Sequence, residues 1–550
     1  MFEKIHSLLS SLARKTGFPL SAWAIFLFLA GLKVFLVSGQ DLTAFGNAKH
    51  DDQLFVKLAA SLLKFQWLGE FNNLTLAKGP FYSMWIAFSN FLHVPLLLSQ
   101  HLLYIFACLV LAVALKPLFS KIWPLIAIYA IVLFNPMNYT DGTATRVTRE
   151  GVYQSLALFV IALFIGLMLR LKHSPKKIFL WSLSGGLALS AFWLTREEGV
   201  WILPFVVPAA AYCSFFAWKK KIAPAKKRLL LCAMPFAILI LSICAVSAVN
   251  YIYYKSFNAV EFKAPEFLAA YGALTRVKSN HWMRNVPVSK EKRMLIYEVS
   301  PAFAELQKSL EGKKIGGGWT KISNQNAPSE NNGEIKGGWF MWALRDAVQS
   351  RDFYKNGRIA LDYYARLADE VNFACEKKEL DCYPERSSML PPWSPQYNRP
   401  FLESLQESIV FLITFKDFNA VPSASLGKEE NLELFRDITR EKLSAGSVNG
   451  RINALARIGR TYQAIFPYLL ALSALLFLSN FFRKQFWERK IWWISLFLIF
   501  PIAARIAMVS LIHATSFPAI GNQYMSPVYS LVLLFTLLNL LSPFVIKENH

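Results

Sequence analysis

The chain alternates long apolar runs with short polar loops, and one long polar stretch from Tyr253 to Gly450 interrupts the pattern. A helix rises about 1.5 Å per residue, so a membrane span needs roughly 20 largely apolar residues. Before the polar stretch the runs are Leu20–Gly39, Pro95–Leu115, Ile122–Phe134, Val152–Leu169, Ile178–Leu194, Val200–Trp218 and Leu229–Tyr251. After it come Tyr462–Phe481, Ile491–Ala514 and Val528–Val545. This predicts an all-α polytopic membrane protein of about ten transmembrane helices. No small-residue cleavage site follows Leu20–Gly39, so it reads as a retained anchor. The organisation expected is an N-terminal transmembrane region (1–252), a mostly helical extracytoplasmic domain (253–455) and a C-terminal transmembrane region (456–550).

Within the polar stretch, Ile359, Tyr363, Leu367 and Val371 recur at four-residue spacing and predict a helix over Gly357–Cys375. Leu402–Phe415 and Glu430–Ser444 read similarly, whereas the Gly/Asn-rich Lys313–Lys336 reads as a loop. The GGGW at Gly316–Trp319 lacks the strand, helix and Lys-Ser/Thr context of a phosphate loop.

Composition agrees: 54% of residues are hydrophobic and 17% charged, too apolar for a soluble enzyme and too aromatic for a disordered chain. The net charge of +23 could suggest nucleic acid until the charges are located. Tyr253–Gly450 holds 27 Lys and Arg against 25 Asp and Glu, which leaves 32 basic and 11 acidic residues beside the apolar runs. That is the positive-inside signature of a membrane protein, and it removes the nucleic-acid reading. The basic clusters are Lys4, Arg14 and Lys15; Lys116 and Lys121; Arg170, Lys172, Lys176 and Lys177; Lys219, Lys220, Lys221, Lys226, Lys227 and Arg228; and Arg483, Lys484, Arg489 and Lys490. All fall on one side if ten spans alternate, which puts both termini in the cytoplasm and Tyr253–Gly450 outside. Cys108, Cys213, Cys232 and Cys244 lie in apolar runs, while Cys375 and Cys382 lie in the outside region and are expected to form a disulfide.

Of the 11 acidic residues in the membrane half, only Glu3, Glu488 and Glu548 are on the cytoplasmic side. The other eight (Asp41, Asp51, Asp52, Glu70, Asp141, Glu150, Glu197 and Glu198) sit in outside loops. Several have basic partners, as in Thr148–Glu150 and Thr195–Glu198, which suggests a polar cleft built from three loops. In the first loop, His50–Phe65 opens on two carboxylates and carries Leu54, Phe55, Leu58, Ala59 and Leu62 on one face, the pattern of an interfacial helix. Asp51 reads equally as a helix cap and as a functional carboxylate. Lys78 precedes a Pro-started helix. Arg505 lies inside the ninth span, where a charge faces a cavity or a partner, and Lys33 is expected to snorkel.

An acidic pair heading a flat helix, followed by a Lys-x-Pro step, resembles the GT-C glycosyltransferases, in particular their aminoarabinose transferase and protein O-mannosyltransferase branches. The family pattern runs approximately Asp-Glu-x-x-Tyr-x-x-x-Ala and then Lys-Pro-Pro. Asp51, Asp52, Phe55, Ala59, Lys78 and Pro80 match its positions, with departures at Asp52, Phe55 and Gly79. The entry to the last span, NQYMSPVYSLVLLF, is similar to the family's Arg-Tyr-x-x-Pro, with Gln523 at the Arg position. The resemblance covers the membrane half and leaves WFMWALRDAV (Trp339–Val348) unmatched.

The resemblance implies transfer of a sugar from a polyprenyl-phosphate carrier to a glycolipid, polysaccharide or protein acceptor at the outer face of a bacterial inner membrane. It assigns Asp51 as general base, with Asp52 supporting it or holding Mg²⁺ or Mn²⁺. Lys78, Arg146, Arg149, Arg196 and Arg505 are candidates for the leaving phosphate, whose developing charge needs cationic donors. Glu150, Glu197 and Glu198 would orient those cations or bind sugar hydroxyls. An ordinary interfacial ion pair is the bland alternative for Arg196 with Glu197 and for Arg149 with Glu150. Competing functions are an oligosaccharyltransferase or glycan ligase, and a non-enzymatic lipid-linked sugar transporter. The absent Trp-Trp-Asp motif weakens the first for N-linked transfer, and the lack of internal repeats weakens the second.

Overall fold

A computed structural model describes residues 10–11, 13, 16–219, 225–328, 333–483 and 487–546. Of the residues used above for sidedness, Lys4, Arg14, Lys15, Lys220, Lys221, Lys484, Glu3 and Glu548 lie outside these. Among the described residues the regular structure is helical, joined by a few isolated bridges between extended segments. Eight helices are long and apolar enough to cross a membrane: Leu20–Val37, Leu96–Leu118, Glu150–Leu169, Gly199–Lys219, Ala225–Tyr254, Gly450–Phe481, Lys490–Thr515 and Asn522–Leu540. The other two expected spans are also helices. Trp123–Leu133 is short, and Pro175–Trp193 has the length but opens on Lys176 and Lys177 and carries three serines and two glycines.

Packing sorts the spans by exposure. Glu150–Leu169 is 94% buried and packs against Leu96–Leu115, Pro175–Trp193, Leu203–Lys219 and Asn522–Leu540. Gly450–Phe481 is only 17% buried, so its apolar surface must meet lipid. Two spans begin six or more residues earlier than hydropathy predicts. Asn522–Leu540 includes the polar entry before Val528, and Gly450–Phe481 starts 12 residues before Tyr462, about 18 Å of extra helix. Asn449 caps that start by accepting hydrogen bonds from the Arg451 and Ile452 amides. Cys108, Cys213 and Cys232 are buried in helices, as small apolar side chains would be.

Three local expectations are corrected. Lys313–Lys336 is not all loop, because Gly316–Asn326 is a helix. A Cβ at Gly316 would lie 1.6 Å from the Leu310 carbonyl oxygen, so the glycine allows a close approach while the buried Trp319 anchors the helix. Tertiary packing overrides low helix propensity there. Glu429–Thr439 ends before Ser444, because Arg440 takes a left-handed conformation (φ 55°) and the following chain runs beside Leu42. Lys33 does not snorkel. It is fully buried, with Nζ 4.2 Å from the centroid of the Tyr139 ring.

The long polar region between the seventh and eighth expected spans has its own core, which includes Phe267, Tyr271, Phe340, Tyr364 and Leu367. The disulfide Cys375–Cys382 forms and holds the end of Gly357–Glu376 to the extended pairing of Val277 with Cys382. The helix Asn398–Thr414 instead packs on Lys490–Thr515, where Ser408 and Ser510 share a hydrogen bond of 2.9 Å.

One connection links this packing to pH. Glu441 accepts a hydrogen bond from the Leu97 amide (2.7 Å) at the start of Leu96–Leu115, and burial pushes its pKa up to about 7. Folding takes up a proton there between the ordinary value and about 7, so its stabilising contribution is present at low pH and is lost as pH rises toward 7. Glu441→Gln removes that dependence. The melting temperature of the variant relative to wild type is expected to rise between pH 5 and about 7.5. A pH-independent difference would show that Glu441 is ionised throughout in the folded state.

Candidate active site

The ten charged residues singled out above converge at one end of the helix bundle. Asp51 and Asp52 lie at the start of the Asp52–Leu63 helix, whose apolar face (Leu54, Phe55, Leu58 and Ala59) is buried against the rest of the protein. The Asp51 side chain caps nothing. It pairs with Lys78 Nζ and remains 46% exposed. Asp52 has no exposed side-chain surface and sits in the fork of Arg146, with Nε 2.8 Å from Oδ1 and Nη2 2.6 Å from Oδ2. Arg146 is positioned by the Thr43–Thr145 backbone contact and lies 4.6 Å from the Phe45 ring centroid.

The loop before the Phe81–Phe91 helix is fixed by Gly79. A Cβ there would lie 2.1 Å from the Leu194 carbonyl oxygen, and the Gly79 amide donates to Glu197 Oε1 at 3.2 Å. A proline at this position could do neither, which explains the departure from Lys-Pro-Pro. Glu197 also accepts from Arg149 Nη1 at 2.8 and 2.7 Å. Fully buried Arg196 pairs with Glu150 and, at 2.6 Å, with Glu198. It also stacks 5.0 Å from the Tyr524 ring centroid. Arg505 lies over Trp201, donates from Nε to the Tyr524 carbonyl (2.8 Å) and stands 3.6 Å from Glu198. Its Nη1 and Nη2 are buried and make no hydrogen bond within the protein.

Electrostatics divides the acidic pair. Burial opposes ionisation of Asp51, but Lys78, Arg146 and Arg149 outweigh it and hold the carboxyl below its usual range. For Asp52 burial wins over Arg146, with the neighbouring Asp51 adding to it, and the carboxyl is pushed up. Glu198 is also buried, yet Arg196 and Arg505 draw it down to about 2. Burial lowers Lys78 despite Asp51. Asp51 and Asp52 turn to different cations and share no site. Among the described residues no group of three or more His, Cys, Asp and Glu side chains could hold a metal ion. This donor set does not fit a bridging cation.

Sequence reasoning missed the groups from the long polar region. Trp342, in the unmatched Trp339–Val348 stretch, lies 5.7 Å from Lys78 Nζ and 5.0 Å from the His50 ring. Asp346 lies 3.6 Å from His50 Nε2 and accepts from Asn73 Nδ2 (2.6 Å) and Trp319 Nε1 (2.8 Å). These residues sit at successive turns of the Gly337–Gln349 helix, and its WALRD pattern (Trp342–Asp346) is the signal that could have found them. Phe55 lies 5.0 Å from Lys78 Nζ and 5.8 Å from the Arg149 guanidinium, an apolar wall with no need of a hydroxyl.

No protein-family model matches the chain, and no curated protein matches it. Two solved structures are similar over most of its length. ArnT from Cupriavidus metallidurans in the apo state shares 13% identity over 95% of this chain and 77% of that one, with a TM-score of 0.30. The same protein bound to undecaprenyl phosphate shares 12% over 94% and 78%, also with a TM-score of 0.30.

Gly79 tests this geometry. Gly79→Ala is expected to destabilise the protein by about 1–3 kcal/mol, the usual cost of overpacking. Gly450→Ala, with nothing within 4 Å of the added carbon, should leave the melting temperature nearly unchanged. Equal melting of the two variants would show that the Leu194 contact gives way freely.

Proposed function

We propose that the chain is a membrane glycosyltransferase that moves a sugar from a polyprenyl-phosphate-linked donor to an envelope acceptor. The observation that carries this reading is the arrangement of a partly exposed carboxylate, Asp51, with Lys78 and with buried Arg505, whose terminal nitrogens make no hydrogen bond within the protein, in one cluster. The acceptor hydroxyl gives its proton to Asp51 as its oxygen attacks the anomeric carbon. The bond from that carbon to the phosphate oxygen breaks, and the lipid phosphate leaves toward Lys78 and Arg505. One such displacement inverts the anomeric configuration.

The pairing also supplies a control. Lys78 depresses Asp51, which makes a poor base of it while the site is empty. A donor phosphate competing for Lys78 weakens that hold and raises the basicity of Asp51 when substrate is present. Arg146, Arg149 and Arg196 are already engaged by Asp52, Glu197, Glu150 and Glu198, so in this reading they shape the cleft and Arg505 takes the phosphate. No step is routed through a metal. The reading places the protein in a bacterial inner membrane with both termini cytoplasmic and the cleft periplasmic.

With radiolabelled polyprenyl-phosphate sugars and envelope acceptor, Asp51→Asn is expected to lower kcat by about 10²–10⁴ and leave donor binding intact. Arg505→Gln should raise donor KM by about tenfold or more, the loss of hydrogen bonds to a charged group. Carrier-sugar binding without transfer by wild type would favour a transporter. Transfer only from oligosaccharide-bearing carriers would favour a glycan ligase.

A further inference from the structure

The outside domain holds a cavity of about 140 Å³ that the cleft does not use. Its walls come from the segment after the Pro265–Arg276 helix and from the extended chain leading to Asn398–Thr414. The disulfide sets this wall. Cys382 pairs with Val277, and the next residue, Tyr383, exchanges backbone contact with Arg276, its amide donating to the Arg276 carbonyl at 2.8 Å. Water occupies about 30 Å³ in the liquid, so the cavity has room for a ligand of several heavy atoms.

The lining has a particular chemistry. Trp282 is 41% exposed and braced edge-on against Tyr397, with ring centroids 5.5 Å apart. The exposed amides of Asn280 and Gln396 each offer both donor and acceptor atoms. Ser394 lines the same space, is 6% exposed, and its Oγ has no hydrogen-bond partner within the protein. A buried hydroxyl without a partner costs about 1–3 kcal/mol unless something meets it. Two of the three basic side chains lining the pocket have an acidic partner, and the third is held by a carbonyl. Lys278 is tied to Asp381 (2.9 Å), His281 faces Glu291 (3.5 Å), and Lys292 donates to the Pro287 carbonyl (3.0 Å).

We propose that this cavity is a second saccharide-binding site, which takes a neutral sugar unit stacked on Trp282 and hydrogen-bonded by Asn280, Gln396 and Ser394. A sugar presents an apolar C–H face and a rim of hydroxyls that donate and accept, which matches a ring beside two amides and a free hydroxyl. An anion would be held best by a cluster of bare cations, and with Lys278 and His281 paired only Lys292 is left, already donating to a carbonyl. The proposal stands apart from the transfer reaction, because it requires only that a glycan reach the outside domain.

The test uses the full-length protein in nanodiscs and saturation-transfer NMR. The probes are neutral di- and trisaccharides of glucose, galactose, mannose and N-acetylhexosamine, with uronate-bearing counterparts. At least one neutral probe should bind at millimolar concentration or tighter. Trp282→Ala and Gln396→Ala should each weaken it about tenfold with unchanged melting, and Asp51→Asn should bind as wild type does. Absence of binding by every neutral probe overturns the proposal, as does equal binding by wild type and both cavity variants. Preference for the uronates overturns the neutral assignment. Loss in Asp51→Asn would place the bound sugar in the membrane-edge cleft instead.

Discussion

Burial of charge at the edge of the bundle is the constraint on which the rest depends. Arg196, Arg505 and Asp52 are almost entirely out of water, and an unpaired ion there would cost several kcal/mol. Each must therefore be met by a group from another part of the chain. Arg196 reaches back to Glu150, Asp52 forward to Arg146, and Arg505 across to Glu198. Three loops and two spans thus have one arrangement in which all of these charges are satisfied, save for the ends of Arg505. Such pairs add little net stability over an apolar core. Their effect is positional: they fix Asp51 and Lys78 on a rigid base.

The helical domain of the long polar region is docked by the same means. Arg345, buried over Phe262, pairs with Glu261 (2.7 Å) and donates to the Asn73 carbonyl, so the domain grips the first loop. Asp346, one residue on, ties His50 and Asn73 to the same helix. The other end of that helix meets the loop before the last span, where a Cβ at Gly338 would lie 2.6 Å from the Phe517 ring. A single helix therefore bridges the first and last loops beside the charged cluster, and any shift of the domain is felt at Trp342 beside Lys78.

Hydropathy made the spans legible because lipid demands continuous apolar surface, and the charged residues of the cluster were legible because charge is rare in such a chain. What sequence could not show was pairing. Thr-Arg-Glu-Glu at Thr195–Glu198 reads as local ion pairing, yet Arg196 pairs with Glu150 and Glu198 while Glu197 serves Arg149. Adjacent side chains on a turn point apart, and only the tertiary fold decides which distant partner each meets. The helix at Gly316–Asn326 was illegible for a related reason. Its glycines speak against a helix locally, and only the close approach of Leu310 to Gly316 requires one of them. Lys33 read as an interfacial lysine because its aromatic partner, Tyr139, is over 100 residues away in sequence.

The departures from the family-like pattern carry their own argument. Gly79 and Phe55 both lie within the space of Lys78, and both remove something a hydroxyl or a proline ring would have placed there. Gly79 lets the chain press against Leu194 and directs an amide at Glu197, which in turn holds Arg149. Phe55 gives Lys78 and Arg149 a common aromatic wall with no competing hydrogen bond. With no polar neighbour on that side, the ammonium of Lys78 has Asp51 as its charged hydrogen-bond partner, and a carboxylate so held is released only when another anion draws the lysine away. A tyrosine at position 55 would offer the lysine a second acceptor and loosen that coupling. The two substitutions therefore act in one direction, toward a carboxylate on which Lys78 has the largest hold, with Arg146 and Arg149 adding to it.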